Sequence, residues 1–136
     1  VPDFDTVTAD LTDPAATRDA LKTAADTTHL FYAALNPDDD LAVEAERNGR
    51  MLGNLLDGLD AVGAPLSRVV IYQGFKIYGI HLGGRCARPR ANPIAAHAAQ
   101  YLPGAGAQLK QRAEKAAWDY VALRRTWWSA MSTATR

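Results

Sequence analysis

The chain has 136 residues, with 15 basic and 15 acidic side chains that cancel to a net charge of zero. That length makes one domain, or a piece of one, able to bury roughly two-thirds of its unfolded surface, and balanced charge gives no field to draw it to nucleic acid or a membrane. No apolar run approaches the ~20 residues of a bilayer-spanning helix, the start VPDFDTVTAD is acidic rather than signal-like, and the single cysteine, Cys86, excludes an internal disulfide, so a soluble cytoplasmic chain is expected.

Residues 6–11, TVTADL, alternate like a short strand ending in an acidic residue. Asp13-Pro14 supplies an N-cap and a proline at the first helical position, predicting a helix over residues 15–24. A second apolar strand is expected over residues 28–35, THLFYAAL, closed by Asn36-Pro37. Asp38-Asp39-Asp40 then places negative charge at the positive end of the next helix. That helix, expected over residues 41–62, carries Met51, Leu52, Leu55, Leu56 and Leu59 at helical spacing and stops at Gly63.

The most informative stretch is residues 67–83, SRVVIYQGFKIYGIHLG. Its β-branched and aromatic opening, Arg68 to Tyr72, reads as a strand inside a sheet. The strand stops at Gln73-Gly74, and Lys76, Tyr78 and His81 follow within a few residues. In open α/β sheets, ligands lie beyond the carboxyl ends of the strands, so a lysine there is placed for chemistry as readily as for solvation. A Gly, Pro, Arg and Ala loop is expected over residues 84–106, a charged helix over residues 109–117 and a fourth strand over residues 120–123. The alternation predicts a parallel α/β sheet flanked by helices. No G-x-G-x-x-G phosphate turn occurs.

Several of these segments together resemble one family. Ala9-Asp10-Leu11-Thr12-Asp13, THLFYAAL, Glu44-x-Glu46-x-Asn48-x-x-Met51-x-x-Asn54-Leu55-Leu56-Asp57 and QGFKIYGIHLG occur in the order found in extended short-chain dehydrogenases/reductases of the epimerase/dehydratase superfamily. Within it, the chain is most similar to the progesterone 5β-reductase/iridoid synthase group. The resemblance covers residues 7–83 and resumes at residues 109–124, LKQRAEKAAWDYVALR.

The resemblance implies an NAD(P)H-dependent reductase of a small enone or carbonyl substrate. Its fold would be a partial Rossmann-type sheet over residues 1–124, lacking the first βαβ unit, with residues 125–136 an out-of-family tail. Asp10 and Leu11 match the pair that flanks the cofactor's adenine. Ala33 and Ala34 match the strand end beneath the nicotinamide-side ribose, and Gln73, closing the central strand, belongs with the cofactor-binding residues. Lys76 matches the active-site lysine. Tyr101 stands near the place of the reacting tyrosine, a partial match because its flanks, Ala99-Gln100 and Leu102, differ from the family's.

The chemistry explains these residue types. Hydride added to the β-carbon of an enone puts negative charge on the substrate oxygen, and a positioned tyrosine hydroxyl stabilises it by ~3 kcal/mol. A nearby ammonium makes the phenol a better donor, while the nicotinamide carries the hard step. The implied partners are a small-molecule substrate and, as an assembly, a homodimer, with no nucleic acid and no membrane. No metal is expected: His81, His97 and Cys86 lack ligand spacing. His29, inside an apolar strand, reads as a core histidine. Arg85, Arg88 and Arg90 read as a solvated loop. Trp127 and Trp128 have no supporting pattern and stand either as a docking surface or as an accident.

The chain is therefore expected to be the central piece of an oxidoreductase, inactive by itself. A non-catalytic dinucleotide-binding or regulatory module and an inactive remnant stay open as alternatives. The resemblance breaks over residues 84–108 and 125–136, and a change of reading frame accounts for both breaks. Read from the last codon base, Trp127-Trp128 gives valine, and allowed codons turn the tail into an apolar strand after Arg124. The other frame puts Asn-Ile-Tyr near Tyr101. Sequencing the gene should show single-base changes that restore both segments; a gene offering no such frames removes this explanation.

Overall fold

The computed structural model describes residues 4–73 and 104–124. Lys76, Tyr78, His81, Cys86, His97, Tyr101, the three loop arginines, most of the Gly/Ala/Pro-rich loop and the Trp127-Trp128 tail lie outside these residues. Three helices and three strands are formed by the described chain: α1 Pro14–Ala20, β1 His29–Tyr32, α2 Leu41–Ala61, β2 Arg68–Gln73, α3 Gly104–Ala113 and β3 Asp119–Arg124. A short 3-10 turn, Leu21–Ala24, continues α1. The strands form one parallel sheet in the order β1-β2-β3. This is a partial Rossmann-type α/β arrangement, as the alternation of elements predicts.

Local chemistry accounts for the helix ends. Asp13 caps α1 by accepting from Ala15 N at 2.8 Å and Ala16 N at 3.2 Å, with Pro14 at the first position. Asp40 caps α2 in the same way, accepting from Ala42 N at 2.8 Å and Val43 N at 3.4 Å. At the other end of α2, Gly63 takes φ +72°, the left-handed conformation that a Cβ disfavours. Gly63 N donates to Asp60 O and Ala64 N to Leu59 O, both at 3.0 Å, which closes the helix with a Schellman motif.

Register sorts the sheet into two faces. Leu30, Tyr32, Val69, Ile71, Tyr120 and Ala122 face the helices and meet Leu52, Leu56 and Leu109 there. Leu52, Val69 and Leu109 are fully buried, each worth about 1.5–3 kcal/mol relative to exposure. Helix α1 packs on the back of α2 at Gly58, where an added Cβ would come within 2.6 Å of Leu21 Cδ1. Helix α3 reaches α2 at Gly53, where a Cβ would stand 2.9 Å from Gln108 Nε2. The small residues let the helices approach closely enough to exclude water.

Four expectations need correction. Residues 6–11 form no strand: residues 4–10 are irregular, and no described strand pairs with them. Alternation specifies a strand only where a neighbour satisfies its backbone. The second strand stops at Tyr32, leaving Ala33, Ala34 and Leu35 exposed beyond it. Helix α3 begins at Gly104 rather than Leu109 and ends at Ala113, so Gly104 to Gly106 are helical and residues 114–118 turn the chain into β3. His29 is exposed rather than buried, because β1 alternates outward at His29 and Phe31 and inward at Leu30 and Tyr32.

Tyr32 is the unusual core residue. It is 8% exposed, and its hydroxyl has no hydrogen-bond partner among the described residues; burial raises its pKa above the ordinary phenol value. A buried hydroxyl left unsatisfied costs about 1–3 kcal/mol. Tyr32→Phe, which removes the group and keeps the ring, should stabilise the fold by about 1 kcal/mol in a urea titration; a loss of stability would mean that the hydroxyl has a partner.

Candidate functional site

The carboxyl ends of β1 and β2 open onto the rim where parallel sheets take ligands. From β1 the chain leaves through Ala33 and Ala34, small and exposed, and runs irregularly through Asn36 to a bend at Asp39-Asp40. This segment is held by the second turn of α2. Asn48 Oδ1 accepts from Asn36 N at 2.8 Å, and Asn48 Nδ2 donates to Asn36 O and Glu44 O, both at 2.8 Å. Arg47 donates to Asp38 Oδ2 at 2.9 Å and to Asn36 Oδ1 at 3.4 Å. Glu44, buried in the first turn, accepts from Asp38 N at 3.2 Å. Five polar side chains thus fix a loop that would otherwise be an unbraced strand exit.

Asp10 and Leu11 are fixed by the same helix farther along. Asn54 Nδ2 donates to Leu11 O at 2.8 Å. Asp10 forms an Asx turn, its Oδ1 accepting from Thr12 Oγ1 at 2.7 Å and Thr12 N at 2.8 Å. The Thr12 hydroxyl, then its N–H, holds the Asp10 carboxyl below the usual carboxylate range. Thr17, fully buried, places its hydroxyl 2.8 Å from Asp13 O and 3.1 Å from Asp10 O, which locks the turn to α1. The Asp10 carboxylate itself is exposed.

Both loops therefore hang from α2, with anchor points six residues apart, about 9 Å of helix rise. Asn48 and Asn54 are the residues for which the sequence suggested no task. Their signal was present, since an asparagine inside a helix is a poor helix former and needs another purpose. Of the expected site residues, Asp10, Leu11, Ala33 and Ala34 are placed on these two loops, and Gln73 ends β2 opposite Arg124 of β3. Lys76 and Tyr101 lie outside the described residues. Among the described residues, no group of three or more His, Cys, Asp or Glu side chains is arranged to hold a metal ion, and no helix is long and apolar enough to cross a membrane.

An exposed carboxylate such as Asp10 can accept from a hydroxyl or an exocyclic amine, and the small Ala33 and Ala34 leave space beyond the end of β1. A phosphate usually docks on free N–H groups at a helix N-terminus, but Asp13 and Asp40 already occupy those of α1 and α2. Asp38 and Glu44 add further negative charge beside α2. Among the described residues, neither of these two N-termini is open to a phosphate. No protein-family description matches the chain, and no curated protein matches it.

The Asp38 carboxyl is held below the usual carboxylate range first by the Asp40 N–H and then by Arg47, against the opposing effect of burial. A depressed folded-state pKa contributes stability above the unfolded value of about 3.9, and that stability is lost as pH falls through the folded value. Thermal melts from about pH 5 to pH 2 should show the loss below about pH 4, and Asp38→Asn should remove that part of it. An identical acid profile for wild type and variant would sever Asp38 from the loop's stability.

Proposed function

We propose that the chain is part of an NAD(P)H-dependent reductase of the extended short-chain dehydrogenase/reductase type, acting on a small enone or carbonyl compound. The observation that supports the reading is a parallel sheet beside which the loops carrying Asp10-Leu11 and Ala33-Ala34 are both anchored to one helix, at Leu11 and Asn36. The quoted motifs supply the same residues in the same order. When bound, the nicotinamide supplies hydride to the substrate's β-carbon or carbonyl carbon.

The roles of the chain's own residues follow from their chemistry. Asp10 and Leu11 flank the adenine end. Ala33 and Ala34 admit the ribose by being small, and Gln73 lies at the close of the central strand beside them. Lys76, three residues past that strand, supplies an ammonium that lowers the pKa of a neighbouring phenol and holds ribose hydroxyls. A tyrosine hydroxyl donates to the substrate oxygen as negative charge builds on it. Tyr101 is the candidate for that donor.

Phosphate recognition must come from N–H groups other than those capped by Asp13 and Asp40. The 136-residue chain should accordingly show no saturable NADPH binding at micromolar concentration. A longer protein made by adding an upstream strand, glycine-rich turn and helix to the chain should oxidise NADPH when given a small enone. In that protein Lys76→Met should cut turnover by about 100-fold or more, with an unchanged melting temperature. A folded longer protein that binds no NADPH removes the reading, whereas one that binds NADPH without oxidising it makes the chain a dinucleotide-binding module. Full turnover in the Met variant leaves the reductase standing and Lys76 a solvated loop lysine.

A further inference from the structure

We draw no further inference here: the strongest candidate, the apolar patch of Phe31, Tyr72, Val121 and Leu123 on the face of the sheet turned away from the helices, carries nothing because nothing in the structure shows what covers it.

Discussion

Burial of the apolar stripe on α2 is the interaction on which the rest of the described structure depends. Met51, Leu52, Leu56 and Leu59 are all buried, and Leu52 and Leu56 meet both inner strand residues of β2, Val69 and Ile71. Remove that contact and β2 loses its cover on the core side, while β1 and β3 pair through β2 alone. The flanks of α2 serve equally. Gly58 receives α1, Gly53 receives α3, and an Arg112–Asp57 ion pair at 2.5 Å staples α3 to the outside of α2. That pair is solvent-exposed on the Asp57 side and is worth little energetically. The packing beneath it does most of the holding.

The same helix positions the rim. Loops that leave a parallel sheet at its carboxyl end have no ladder to restrain them, and here the restraint comes from asparagine side chains. Asn48 and Asn54 each cost helix propensity and return it as hydrogen bonds to otherwise unpaired backbone groups of the loops. The two N-cap aspartates have a second consequence. By taking the free N–H groups at the starts of α1 and α2, they stabilise the helices and also turn phosphate away from them. The two capping carboxylates therefore bear on both helix stability and the electrostatics around the helix starts.

The sheet is built with two unlike faces. Its inner face is covered by helices; its outer face grades from an Arg68–Asp119 pair to exposed Phe31, Tyr72 and Leu123. Val70, in the middle of that outer face, is buried.

Much of this architecture was legible in the residues themselves. Helix α2 was bounded by Asp40 and Gly63 because capping and left-handed glycine are local chemistry. β2 was marked by a run of β-branched side chains whose burial needs no knowledge of the neighbours. What tertiary structure alone decided were the features that depend on a partner. Residues 6–11 have the alternation of a strand, yet they stay irregular, and no strand among the described residues pairs with them. His29 sits in an apolar sequence, yet it points outward because strand parity is set by which side α2 covers. Asn48 and Asn54 could be recognised as misfits in a helix, but their acceptors on Asn36 and Leu11 come within reach only once the loops are folded against α2. Local rules act over one turn or one strand, whereas these choices are set by which surfaces and backbone groups the fold brings together.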